Sequence, residues 1–287
     1  MIVPAPAKLN LFLHVVGRRA DGYHLLQTLF QLLDVADGGG DLLHFGPAAE
    51  LELNDLPGVP RESNLVWRAA RALQDHTGCR SGARIRLDKR LPAGGGLGGG
   101  SSDAATTLLA LNHLWRLGLD LDTLAAIGLG LGADVPVFVR GHTAFAEGVG
   151  ERLTPVDLPA RWFVVVNPGC HVETARVFRD PSLTRDTPVM TMATLREPGY
   201  ETRLRNDCEA VVRRLHPEVA DALDWLGQFG SSRLTGTGAC VFLATGNEDE
   251  ARRILQQLPP RFSGFVARGV NRSPAHDAIG ALAATGD

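Results

Sequence analysis

The sequence predicts an α+β fold in two domains, and three observations lead there. An alternating strand pattern at residues 83–89 runs straight into a glycine-rich stretch and then into a long helical pattern. Prolines bracket residues 155–159, which marks a domain boundary. Beyond it, strand, helices, hairpin, helix and strand follow in the order of a ferredoxin-like αβ-sandwich. The expected domains are therefore 1–155 and 156–287.

Taken along the chain, residues 8–16 read as an apolar strand, and a turn at Ala20-Asp21-Gly22 leads to a second strand at 28–33. Gly38-Gly39-Gly40 reads as a flexible loop. After a Ser63-Asn64 cap, Leu65, Ala69, Ala72 and Leu73 recur at helical spacing. Asp103 is expected to open the long helix, with Ala104, Leu108, Leu111 and Trp115 on one face. A further helix covers 121–131, and a strand covers 143–146. In the second half, strands are expected at 162–166, 232–235, 240–244 and 265–270, with helices at 207–215, 217–226 and 248–258. No internal repeat or low-complexity segment breaks this pattern.

Composition narrows the classes. Hydrophobic residues make up 44% of the chain and charged residues 21%, the balance of a soluble globular protein. A net charge of −3 gives no general attraction to nucleic acid or to an anionic membrane, so neither is expected as a partner. No apolar run approaches the ~20 residues of a membrane span, and Met1 to Lys8 lacks the pattern of a signal peptide. Cys79, Cys170, Cys208 and Cys240 lie far apart and are expected to be buried thiols in a reducing compartment. The expected location is the cytoplasm.

The run Pro92-Ala93-Gly94-Gly95-Gly96-Leu97-Gly98-Gly99-Gly100-Ser101-Ser102 carries the chemistry. Glycine costs ~0.5–1 kcal/mol relative to alanine inside regular elements, so six within seven residues need a reason. Close approach of backbone N–H groups to an anion supplies one, and a helix start adds unpaired N–H groups and its positive dipole end. The run is therefore expected to cradle phosphate. Two other phosphate motifs fit less well. Gly94-x-Gly96-x-x-Gly99 satisfies a dinucleotide fingerprint, as in nicotinamide-dependent oxidoreductases, and Asp120 lies about twenty residues on. Asp120 follows a helix, however, where that fingerprint needs a second parallel strand. A Walker loop is excluded, because Gly100 is followed by Ser-Ser and not by Lys-Ser/Thr.

Three stretches in order resemble the GHMP kinases, which include galactose, homoserine and mevalonate kinases. They are Pro6-Ala-Lys8-Leu-Asn10-Leu, the glycine run itself, and Leu234-Thr-Gly-Thr-Gly-Ala-Cys240. The resemblance implies the two-domain GHMP fold, an N-terminal ribosomal-protein-like αβ domain followed by a C-terminal ferredoxin-like domain. It also implies ATP as co-substrate, with magnesium. Arg19-Ala-Asp-Gly-Tyr23-His24, Gly132-Ala-Asp134-Val-Pro136 and Asn206-Asp-Cys are similar to the branch that phosphorylates a 2-hydroxyl on a cytidylyl-bearing substrate of isoprenoid precursor synthesis. Homoserine and mevalonate kinases are the near alternatives.

The resemblance implies roles residue by residue. Asp134 is the expected base, although an aspartate before a proline-containing helix start is often only a cap. Lys8 is its expected partner, since an ammonium favours the ionised carboxylate and can polarise a hydroxyl. Residues 92–102 are expected on the phosphates, with Asn64 and Lys89 near the adenine. Asn10 is expected to orient the substrate, and Tyr23 and His24 to bind cytosine, with Thr174 and Phe178 completing that slot. The magnesium ligands stay unassigned, with Ser102 and Glu147 as oxygen donors left open.

Overall fold

The computed structural model describes residues 1–197, 199 and 204–285. In the first half, β1 (Ile2–Ala5), β2 (Ala7–Arg18), β3 (His24–Val35), β4 (Asp41–Ala48), β5 (Leu51–Leu53) and β6 (Gly82–Asp88) alternate with α1 (Leu65–Thr77) and α2 (Gly99–Leu114). Then come α3 (Leu121–Leu129), α4 (Val135–Arg140), β7 (Ala144–Glu147) and β8 (Arg152–Pro155). The second half holds β9 (Trp162–Asn167), α5 (Thr174–Arg179), α6 (Glu209–Leu215), α7 (Pro217–Gly227), β10 (Arg233–Leu234), β11 (Val241–Thr245), α8 (Glu248–Leu255), β12 (Ser263–Val270) and α9 (Pro274–Thr285). The α+β expectation holds.

Two sheets organise these elements. One has the order β1-β4-β6-β5; the other runs β10-β11-β9-β12-β3-β7-β8, with β2 on the free edge of β3. Within the second sheet, β9, β10, β11 and β12 with their helices form the expected ferredoxin-like unit. The expected boundary falls between β8 and β9, yet the sheet continues across it, because β12 pairs with β3 from Ala267↔Val35 to Val270↔Leu32. The chain then returns to the first half, where α9 packs on β1 and α2. Among the described residues, no helix is long and apolar enough to cross a membrane.

Several sequence expectations shift. The helix expected to open at Asp103 begins at Gly99, because Gly98 takes a left-handed φ of 69° as N-cap and its carbonyl accepts from Ser102 N at 2.8 Å. The flexible loop at Gly38–Gly40 is instead a tight 3₁₀ turn, closed by Gly39 N on Ala36 O at 3.1 Å. Of the four thiols, all free, Cys208 and Cys240 are buried but Cys79 and Cys170 are only half-buried.

The long helix α2 is buried on several sides: Ala104, Leu108 and Leu111 pack with Val66, Ala69 and Leu73 of α1 against Val3, Leu43 and Ile85 of the first sheet. Its first turns are also tied down electrostatically. Lys89, just past β6, donates to Asp41 Oδ2 at 2.5 Å and to Asp103 Oδ2 at 2.7 Å. Asp41 in turn accepts from Arg90 N and Leu91 N at 2.6 and 2.8 Å, fixing the chain that enters the glycine run.

One ammonium faces two buried carboxylates, so ionising both would leave a net negative charge in the group. Burial pushes the Asp103 carboxyl up to about 7, with Lys89 opposing the shift and Asp41 adding to it. Burial is also the largest influence on Lys89 and lowers its pKa, but the two carboxylates outweigh it and the net shift is upward.

A carboxyl whose native pKa lies above its unfolded value of about 4 binds more protons in the native state between the two values. Its contribution to stability therefore falls as pH rises from about 4 towards about 7. Asp103→Asn should remove this dependence: relative to wild type, the variant gains stability across that window by at least about 1 kcal/mol, or ~2–4 °C in Tm. Thermal melts at the two ends of the window check it, and a pH-independent difference would contradict the assignment.

Candidate active site

Strand periodicity places Lys8 and Asn10 on one face of β2. Lys8 is 3% exposed, and its Nζ reaches three acceptors: Asn10 Oδ1 at 2.6 Å, Gly96 O at 3.0 Å and Asp134 Oδ2 at 3.3 Å. It also lies 5.3 Å from the centre of the Phe30 ring. Asn10 is oriented by Thr28 Oγ1, which accepts from its Nδ2 at 2.9 Å.

Asp134 stands at the N-cap of α4, but its side chain makes no capping bond. The simple capping role is thus not the one it fills. Its carboxylate is one-third exposed and turned towards Lys8. A Cβ added at Gly132 would lie 3.7 Å from Ser101 Oγ, so the turn carrying Asp134 adjoins the start of α2.

The glycine run is held open by its contacts. Gly96 has a φ of 75°, and a Cβ there would fall on Thr235 O; a Cβ on Gly98 would meet the Phe138 ring at 2.8 Å and Lys8 Cε at 3.1 Å. Behind the run sits the Thr235–Cys240 turn: Cys240 N donates to Gly95 O at 3.1 Å and Thr235 Oγ1 to Gly96 O at 3.1 Å. Thr235 Oγ1 also accepts from Asn10 N at 3.0 Å, which joins this turn to β2. Asn206 braces it from below, donating to Leu234 O and Gly236 O at 2.9 and 2.7 Å. The N–H groups of Gly99 to Ser101, in the first turn of α2, have no intrahelical partners and sit at the positive end of its dipole.

Two of the residues expected near adenine lie on the other flank of the run. Asn64 caps α1, accepting from Val66 N at 2.9 Å, and the adjacent Leu65 would lie 3.3 Å from a Cβ on Gly100. The Lys89 ammonium is engaged by Asp41 and Asp103, so its side chain serves the loop's foundation.

A second cluster forms at the far end of β2 and β3. Tyr23 is 65% exposed beside the turn, and His24 opens β3 with its ring stacked on Phe178 at 5.0 Å between centres and 27° between planes. Burial, then Arg185, then Arg18 lower the His24 pKa below its ordinary value. Thr174, the first residue of α5, pairs its hydroxyl with that of Thr237 at 2.8 Å, which connects this cluster to the turn behind the glycine run.

The sequence missed Thr28, Asp41, Asp103 and Arg185 as site-supporting residues. They lack a local motif and meet their partners only across the fold. Asp120, the candidate acid of a dinucleotide site, caps α3 through Thr123 N at 2.8 Å and follows no strand, which removes that reading.

A buried ammonium shared by a carboxylate and the glycine run ahead of a helix suits phosphoryl transfer, and comparison with known proteins gives the class. Residues 64–142 match the GHMP kinases N terminal domain and residues 193–263 match the GHMP kinases C terminal domain. The chain belongs to the GHMP kinases, small-molecule kinases that use ATP.

It is 59% identical over 283 residues to the 4-diphosphocytidyl-2-C-methyl-D-erythritol kinase of Chromohalobacter salexigens, covering 97% of this chain and 94% of that one. A crystal structure of 4-(cytidine 5'-diphospho)-2C-methyl-D-erythritol kinase superposes with a TM-score of 0.80 at 36% identity, covering 94% of this chain and 100% of that one. The Methanococcus jannaschii mevalonate kinase, at 18% identity, TM-score 0.67 and coverage of 94% and 98%, shares the fold.

Substituting Gly96 by Ala should be severe, because the new Cβ meets both a left-handed φ and the Thr235 carbonyl. Strain of ~1–3 kcal/mol is expected, with ATP affinity falling ~10-fold or more by calorimetric titration. Unchanged ATP affinity would show that the run does not hold the phosphates.

Proposed function

We propose that this chain transfers the γ-phosphoryl group of ATP to the 2-hydroxyl of 4-diphosphocytidyl-2-C-methyl-D-erythritol, in the non-mevalonate route to isoprenoid precursors. One observation carries the reading: the Lys8 ammonium bonds both the Gly96 carbonyl and the Asp134 carboxylate. The base and the phosphate loop are thereby joined through a single side chain. The printed names of the relatives support the substrate.

Phosphoryl transfer asks the protein for positioning, charge compensation and a place for the hydroxyl proton. Asp134 accepts that proton as the acceptor oxygen attacks phosphorus, and ADP leaves. Lys8 polarises the same hydroxyl and limits charge build-up beside the transferred group. Within residues 92–102, the backbone N–H groups of 94–101 hold the β- and γ-phosphates.

Asn64 and the backbone of Lys89 flank the adenine, since the Lys89 side chain is committed elsewhere. Asn10 orients the erythritol end. Tyr23 and Phe178 supply aromatic faces to the cytosine, worth ~1–3 kcal/mol per stacked base. His24 meets its edge, and Thr174 closes the slot.

The site fits magnesium. Ser102 Oγ and Asp103 Oδ1 are buried at the start of α2 without a hydrogen-bond partner, and oxygen donors suit a hard cation that keeps part of its water shell. Ser102 would hold the ion, which supplies neutralisation of the β/γ-phosphate charge. Glu147 is already engaged by Gln27 Nε2 at 3.0 Å. The net charge of −3 speaks against a nucleic-acid partner, and the substrate class supports a cytoplasmic enzyme.

Coupled ADP release with a panel of acceptors tests the substrate. Turnover is expected with the cytidylyl substrate and not with homoserine or mevalonate; the reverse would overturn the proposal. Asp134→Asn should lower kcat by ~10²–10⁴ while ATP affinity stays within ~3-fold by titration, and retained turnover would remove the base. Tyr23→Ala should raise KM for the cytidylyl substrate about tenfold, corresponding to ~1.4 kcal/mol, and leave KM for ATP unchanged. Equal effects on both would place Tyr23 outside the cytosine slot.

A further inference from the structure

Arg185 lies 161 residues from His24 in sequence, and its guanidinium makes four hydrogen bonds to a compact set of acceptors. Nε donates to His24 Nε2 at 3.1 Å and Nη1 to Leu183 O at 3.0 Å. Nη2 donates to Phe178 O and Asp180 O, both at 2.9 Å. One side chain therefore grips the C-terminal end of α5, which carries Phe178, and the imidazole on which Phe178 stacks.

The chemistry of this contact has one solution. A guanidinium can only donate and does not lose its proton in proteins. The atom it meets, His24 Nε2, must present a lone pair. The imidazole is therefore neutral, with its one proton on Nδ1. With Nε2 occupied by Arg185, the ring keeps a single donor and no acceptor to offer a ligand. This is a fixed polarity at the wall of the slot.

We infer that Arg185 is a positioning residue that locks His24 as the Nδ1–H tautomer, and that this lock makes the slot select cytosine over uracil. The inference rests on the cytidylyl substrate of the proposed function. Along its Watson–Crick edge, cytosine presents acceptors at O2 and N3; uracil shares O2, so the atom that tells the bases apart, and the one that takes the Nδ1 proton, is N3. Uracil presents an N3–H, which meets another donor where cytosine offers a lone pair. A donor left facing a donor in a partly buried slot forfeits a hydrogen bond and its desolvation, an effect of about 10-fold or more in kcat/KM.

The lock is testable without substrate. In ¹⁵N-histidine-labelled full-length enzyme, with the signal assigned through His24→Gln, two-dimensional ¹H–¹⁵N spectra should show His24 as the Nδ1–H tautomer. In Arg185→Met it should revert to the Nε2–H form that a free side chain favours. Arg185→Lys, which restores a donor to Nε2, should recover the wild-type tautomer in part.

Kinetically, Arg185→Met should raise KM for the cytidylyl substrate ~10-fold with kcat and KM for ATP nearly unchanged, and should erode the preference over the uridylyl analogue by a similar factor. A role confined to folding would lower all parameters alike and would not be rescued by lysine. An Nε2–H signal in the wild type would overturn the tautomer lock. An unchanged base preference in Arg185→Met would overturn its link to specificity. If neither nucleotide substrate were phosphorylated, the proposed function would fail, and the spectra would still decide the tautomer.

Discussion

The site depends on a lysine ammonium placed where water cannot satisfy it. Lysine is almost never fully buried unless it is paired, because desolvating the charge costs several kcal/mol. Lys8 meets that cost with three oxygen acceptors, one from its own strand, one from the glycine run and one from the turn before α4. Each acceptor belongs to a different part of the chain, so the lysine is the joint that sets their spacing and, in the proposed function, also the charge beside the acceptor hydroxyl. Removing it would leave Asn10 Oδ1 and Gly96 O with unused lone pairs and Asp134 without its counter-charge.

The glycine run can stay open because two scaffolds hold it from opposite sides. On one side, the Thr235–Cys240 turn bonds Gly95 and Gly96 through backbone and hydroxyl, leaving no room for any side chain. On the other, Asp41, Lys89 and Asp103 fix the entry strand to the start of α2. Rigidity is thus supplied from behind, which is what preorganised charge stabilisation requires. The Tyr23–His24 end follows the same logic, with Arg185 behind His24 and Phe178.

Features that break a local rule were legible in the sequence. Six glycines ahead of a helix, a lone lysine in an apolar strand and an aspartate in a Gly-Ala-Asp-Val-Pro turn are each unexpected, and the fold brings two of them within bonding distance of Lys8. The α+β class and the ferredoxin-like half could be read from periodicity. The start of α2 could not, because a left-handed glycine cap leaves no Ser/Thr/Asp signal and Asp103 mimics one. Short strands such as β1 and β5 carry too few residues for a period, and α9 is a weakly amphipathic helix docked by tertiary contacts. Asp41 with Lys89 and His24 with Arg185 stand 48 and 161 residues apart, and no local pattern encodes such pairs.

The central claim is geometric, so a ternary structure tests it most directly. Crystals should be grown with a non-hydrolysable ATP analogue, magnesium and 4-diphosphocytidyl-2-C-methyl-D-erythritol. The account predicts the substrate's 2-hydroxyl within ~2.6–3.2 Å of an Asp134 carboxylate oxygen and close to Lys8 Nζ. The γ-phosphorus should lie in line beyond it, and the β/γ-phosphates should rest on the N–H groups of residues 94–101. Phosphates bound away from the glycine run, or a 2-hydroxyl facing away from Asp134, would contradict it.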